Sequence, residues 1–117
     1  MKDIEELEAA VRALSSKEAE KITALRVKDI TSLANYFVIA SGSSTTHVKA
    51  LADEVEYQMS QKGIQPHGID GSPSSNWIVL DYIDVVVHIF NEEAREFYQL
   101  EHLWADGEPV DVSEWDK

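Results

Sequence analysis

The sequence predicts an α/β fold: a mixed β-sheet of about five strands flanked by helices, with elements in the order α β β α β β β α. Three observations carry this. Val48, Leu51, Ala52, Val55 and Met59 recur at the spacing of one helix face. "YFVIASG" (36–42) does not alternate, as expected of a central strand covered on both sides. "WIVLDY" and "DVVVHIF" lie so close together that a tight antiparallel hairpin through Tyr82 and Ile83 is the natural connection. A hairpin among crossover connections makes the sheet mixed.

At the N-terminus, Ile4, Leu7, Val11 and Leu14 define a helix with a narrow apolar stripe, and Asp3 with Glu6 has the form of a capping box. Such a stripe suits packing at the domain edge or against a second copy of the chain. "ITALRVKDI" alternates, with Leu25 and Val27 opposite Arg26 and Lys28, and reads as a strand wet on one face. The next helix is capped by Ser44 or Thr45 and stopped in Schellman fashion by Gly63 and Ile64.

"IQPHGIDGSPSSN" opens with a short edge strand, marked by Pro66, and becomes a Gly-, Ser- and Pro-rich loop. After the hairpin a helix is expected from about Glu92 to Trp104, with Asn91 as its N-cap. Phe97, Leu100 and Trp104 would form one stripe of it, and Ala94, Tyr98 and Glu101 an adjoining one. The remainder, "ADGEPVDVSEWDK", reads as an extended or mobile acidic tail. The expected organisation is one domain over 1–104 and a tail over 105–117, without internal repeats.

The chain of 117 residues carries a net charge of −12. Residues 1–80 hold 11 acids against 8 bases, and residues 81–117 hold 11 acids against 2 bases. A field of that sign repels phosphate backbones and anionic lipid and favours a basic protein surface. No apolar run approaches the roughly 20 residues of a spanning helix, and the acidic N-terminus is unlike a signal peptide. A soluble cytoplasmic protein is expected. The absence of cysteine excludes disulfides, thiol chemistry and sulfur ligands for zinc.

Sites of chemistry find little support. "SGSSTTH" places a glycine and four hydroxyls between a strand and a helix, yet it lacks the P-loop and dinucleotide patterns, so turn and cap chemistry is the simpler reading. A nucleotidyltransferase would need two carboxylates on one strand face; Asp81 and Asp84 instead flank a turn. His47, His67, His88 and His102 form no HxH or HExxH pair, and His88 shares a face with Val86 and Phe90 as a buried imidazole would. No metal, cofactor or catalytic residue is expected. Tyr98 beside Glu101, and Trp77 arriving from a flexible loop, are the candidate binding residues.

"YFVIASGSSTTHVKALADEV", "GIDGSPSSNWIVLDYIDVVVHIF" and "REFYQLEHLW", three separated matches in order from about Leu25 to Trp104, closely resemble the Iojap family, also called the ribosomal silencing factor RsfS. The resemblance implies a fold related to nucleotidyltransferases without their catalytic carboxylates. It also implies binding to a protein on the intersubunit face of the large ribosomal subunit, which blocks small-subunit joining and represses translation when nutrients are scarce. Carried across by position, it assigns Trp77, Asp81, Arg95, Tyr98 and Glu101 to partner binding, and Asp84, His88, Leu100 and Trp104 to architecture.

Ile83 departs from the family pattern, which commonly has glycine there, so a turn of different geometry is expected. A large-subunit assembly role through the same contact is the neighbouring reading, and a nucleotide-binding or nucleotidyltransferase-type enzyme using the "SGSSTT" turn the distant one. Homodimerisation through the first helix or a sheet edge is compatible with the sequence.

Overall fold

Helix α1 (Lys2–Ser16) leads into strand β1 (Glu20–Arg26), which pairs antiparallel with β2 (Tyr36–Gly42). The computed structural model describes residues 2–71 and 76–116, so most of the predicted Gly-, Ser- and Pro-rich loop lies outside the described residues. Helix α2 (Thr45–Gln61) follows, then β3 (Gly68–Asp70), β4 (Trp77–Asp81), β5 (Val85–Asn91), the short helices α3 (Glu92–Tyr98) and α4 (Leu100–Leu103), and β6 (Glu108–Val110). Among the described residues six strands form one sheet, in the order β3-β4-β5-β2-β1-β6. Only β2 and β5 run parallel; the other neighbours are antiparallel. The mixed α/β architecture is the one predicted, with one strand more.

The central strands are apolar on both faces because both faces are covered. Val38, Ala40, Val87 and Ile89 point into a core shared with α1 and α2, while Phe37, Ile39, Val86 and Phe90 point into a second, smaller core under α3 and α4. Helix α2 buries the five residues its periodicity marks. Ser44 caps it by accepting the His47 N–H at 3.1 Å. At the other end Gly63 takes φ +77, and the N–H groups of Gly63 and Ile64 donate to the carbonyls of Ser60 and Met59, which is the Schellman pattern.

Several expectations change. The stripe of α1 is broad, because Ala9, Ala10 and Ala13 are buried beside Leu7, Val11 and Leu14. Small residues let α1 approach α2 closely, so it is part of the main core and not an edge element. Its first turn already includes Asp3, whose Oδ2 accepts from Asn35 Nδ2 at 3.2 Å. Strand β1 is covered on both faces: Ala24 faces the α1–α2 core and Leu25 the other.

The predicted short edge strand falls after Pro66, at Gly68–Asp70. The acidic tail, expected to be loose, instead enters the sheet. Ala24, Leu25 and Arg26 pair with Val110, Pro109 and Glu108, and Val112 is buried beyond them. Proline is tolerated in β6 because this is an edge strand. Gly107 makes the approach feasible: a Cβ there would lie 3.1 Å from the Trp104 carbonyl oxygen and 3.2 Å from Val27.

Candidate functional site: an aromatic groove over strand β4

The register of β4 on β5 sets Trp77 opposite Phe90 and Val79 opposite His88, so these four side chains share the face that α3 and α4 cover only in part. The chain passes from β5 into α3 with no loop. Asn91 makes that passage possible: its side chain accepts the Ala94 N–H at 2.8 Å as the predicted N-cap, and its Nδ2 donates to Asn76 Oδ1 at 2.9 Å. The residue before Trp77 is thereby tied to the start of α3.

Folding α3 back over Phe90 brings Tyr98 onto Trp77, with ring centroids 4.8 Å apart; Trp77 also stacks on Phe90 at 4.9 Å. Phe97 meets Tyr98 edge-on at 5.0 Å. Asn76, Trp77, Glu93, Ala94, Phe97 and Tyr98 line a shallow groove. Phe97 is 79% exposed and Tyr98 50%. Aromatic rings left this open, beside a carboxylate and over a packed base, have the composition of a protein-binding surface.

The expected single helix over 92–104 is broken at Gln99, which adopts the left-handed conformation (φ 46, ψ 51). The break rotates the following turn, so Leu100 is buried while Leu103 is 74% exposed. Phe97, assigned by the helical wheel to the same stripe as Leu100 and Trp104, therefore faces outward. Gln99 gives no glycine-like signal, which is why the break could not be read from the residues. Trp104 packs edge-on against Phe37 at 5.0 Å.

Arg95 was expected at the contact; it is 8% exposed and points inward. Its Nη1 donates to Ser41 Oγ at 2.9 Å, its Nη2 to Thr23 Oγ1 at 3.1 Å, and its Nε and Nη2 reach Glu101 Oε2 at 3.0 and 2.9 Å. One guanidinium thus ties α3 to β1, β2 and α4, as its five fixed donors allow. Glu101 is half-buried and held in place by this fork.

Asp81, which the resemblance assigns to partner binding, flanks the hairpin turn. It ends β4, four residues or about 13 Å from Trp77, and its Oδ1 accepts the Ile83 N–H at 2.8 Å. It shapes the hairpin turn. In that turn Ile83 has φ 72, the left-handed region that glycine favours and a β-branched side chain resists, so Ile83 bears the strain. The Asp84 carbonyl accepts from the Asn35 and Tyr36 N–H groups, fixing the start of β2.

His88 is buried under Trp77. The Trp77 indole N–H donates to its Nδ1 at 3.2 Å, and burial pushes the imidazole down to about 4, so it is neutral near pH 7. In the "SGSSTT" turn, Ser44 is occupied as a cap. The Ser43 N–H donates to His47 Nδ1 at 2.8 Å, and His47 Nε2 lies 2.8 Å from the Lys17 carbonyl oxygen. Among the described residues no cluster of three His, Asp or Glu is placed to hold a metal ion, and no helix is long and apolar enough to cross a membrane.

Comparison with known proteins places this architecture. A family model described as "Ribosomal silencing factor during starvation" matches residues 1–117. The ribosomal silencing factor RsfS of Bacillus subtilis is 39% identical over 106 residues, covering 91% of this chain and 90% of that protein. A mouse protein named for mitochondrial assembly of the ribosomal large subunit is 30% identical over 102 residues, 85% of this chain and 45% of the mouse protein. A crystal structure of a Chromobacterium violaceum protein superimposes with a TM-score of 0.87 at 33% identity, over 90% of this chain and 88% of the other. The mixed six-stranded sheet and the sequence agree, and the chain belongs to the RsfS family of ribosomal silencing factors.

Proposed function

We propose that this chain is a non-catalytic silencing factor: it docks through the Trp77–Phe97–Tyr98 groove on a basic protein of the large ribosomal subunit, at the intersubunit face, and blocks joining of the small subunit. The observation that carries the reading is the exposed aromatic groove itself, built on β4 and α3 with the Glu93 carboxylate in its lining. A net charge of −12 disfavours direct contact with ribosomal RNA and leaves an exposed basic protein patch as the accessible target. Trp77 and Tyr98 serve as anchors, and Glu101, held by Arg95, adds an acidic contact from outside the groove lining.

The mechanism requires no bond to be made or broken. A body measuring 33 × 33 × 27 Å, seated where two subunits must meet, excludes the second by volume. Its site of action is the cytoplasm, where subunits join. Occupancy of the large subunit then sets the degree of repression.

The test is sedimentation of the purified chain with isolated large and small subunits at low and moderate salt, followed by a subunit-joining assay. Co-sedimentation with the large subunit alone, with suppressed joining, is expected. Binding to neither subunit would sink the proposal and bring nucleotide binding forward. The name of the mouse relative favours a second reading, large-subunit assembly through the same groove. It predicts a maturation defect on deletion with joining of mature subunits unaffected.

A further inference from the structure

His88 is an uneconomical way to fill its site. It lies between Val86 and Phe90 on β5, opposite Ile39 on β2 and Val79 on β4, and its ring meets Phe37 edge-on at 5.3 Å. Its Nε2 is buried with no hydrogen-bond partner among the described residues. A leucine in the same space would carry no polar atom of its own, although it would leave the Trp77 indole N–H without its acceptor.

What the imidazole adds is one acceptor, aimed at Trp77. An indole nitrogen can only donate, so Nδ1 accepts and the imidazole proton sits on Nε2. Stacking on Phe90, at 28° between ring planes, limits the tilt of the indole. It discriminates poorly between that ring and one turned by half a revolution about χ2, because both flips present a flat aromatic face. The 3.2 Å bond to Nδ1 is satisfied by only one of them.

We propose that His88 is a positioning residue of the docking groove: its Nδ1 selects the single orientation in which Trp77 meets the partner. The inference rests on the functional reading given above, since it concerns the same groove. It separates His88 from the buried apolar residues of this face, which fill space. A chain that lacks the acceptor keeps its core and divides Trp77 among orientations, of which a fraction can bind.

The experiment compares wild type with His88→Leu, which removes the acceptor, and His88→Asn, whose side-chain amide oxygen can stand near the position of Nδ1. Two readouts are taken: the Trp77 indole N–H resonance in the free protein, and affinity for isolated large subunits. His88→Leu should melt no lower than wild type near pH 7, show a shifted and fast-exchanging Trp77 indole N–H, and bind about tenfold more weakly. His88→Asn should restore the indole signal and most of the affinity.

A wild-type indole resonance and wild-type affinity in His88→Leu would overturn the proposal. Equal loss of affinity in both variants with lowered melting would also overturn it, by making the histidine merely structural. If the wild-type chain fails to bind large subunits, the functional reading falls by itself. The indole resonance then decides positioning: loss in His88→Leu with recovery in His88→Asn upholds it, and no change overturns it.

Discussion

The two faces of the sheet are built differently. Under α1 and α2 the contacts are almost wholly apolar, with Leu7, Leu14, Leu51, Val55 and Met59 fully buried. Under α3 and α4 the cover is short, broken at Gln99, and held by polar ties: Arg95 to Ser41, Thr23 and Glu101, Asn91 to Asn76, and Trp77 to His88. Apolar packing is adaptable and supplies stability, whereas hydrogen bonds fix direction. The first face keeps the domain folded, and the second holds aromatic side chains in place at the surface.

The largest effect expected from this division is on the first face. Leu51→Ala should destabilise the fold by about 3 kcal/mol, read from denaturant unfolding, through lost burial and the cavity left behind. Affinity for the large subunit, measured under conditions where the variant is folded, should be unchanged. Loss of binding in a folded Leu51→Ala chain would blur the separation.

Next in size is the pH dependence that His88 imposes. Its folded value, about 4, lies below the 6.5 of an unfolded histidine, so the unfolded chain binds the extra proton first. The contribution is fully present above pH 6.5 and is lost as pH falls towards 4, by up to about 3 kcal/mol. The side chains opposite it, Phe37, Ile39, Trp77 and Val79, carry no charge that would offset the loss. The stability of His88→Leu relative to wild type should therefore rise as pH is lowered through that window, and a constant difference would contradict the assignment.

On the second face, Trp77→Ala and Tyr98→Ala should each weaken large-subunit binding by about 2 kcal/mol, or roughly thirtyfold. The smallest effect belongs to the hairpin, outside the comparison of faces. Ile83→Gly should stabilise the chain by about 1 kcal/mol, relief of left-handed strain exceeding the entropy that glycine adds to the unfolded state. Binding should not change, because Ile83 lies at the far end of β4 from the groove.

Legibility in the sequence followed the same division. Helix α2, with its cap, its buried face and its Schellman stop, was readable because every signal is local and apolar periodicity has one interpretation. Strands β2, β4 and β5 followed from runs too apolar to be anything but covered. Strand β6 was missed although Val110 and Val112 alternate, because two residues of alternation cannot outweigh Gly107, Pro109 and the surrounding acids.

The second face was legible in part. Trp77 and Tyr98 could be singled out as large aromatics at element ends, and the structure brings them together. The inward turn of Arg95 depends on Thr23 and Ser41 from two distant strands and on Glu101 across the kink, and the outward turn of Phe97 depends on that kink at Gln99. Neither partner set nor kink leaves a local trace. The resemblance to the silencing factors reached further than any one motif, because it drew on three separated stretches in the same order.

The most direct test of the account sets two exposed tyrosines against each other. Tyr98 on α3 and Tyr57 on α2 are similarly open, at 50% and 59%, and lie on opposite sides of the sheet. Affinity for isolated large subunits should fall about thirtyfold in Tyr98→Ala and stay at the wild-type value in Tyr57→Ala. Wild-type affinity in Tyr98→Ala with a loss in Tyr57→Ala would place the partner on the α1–α2 side and contradict the account.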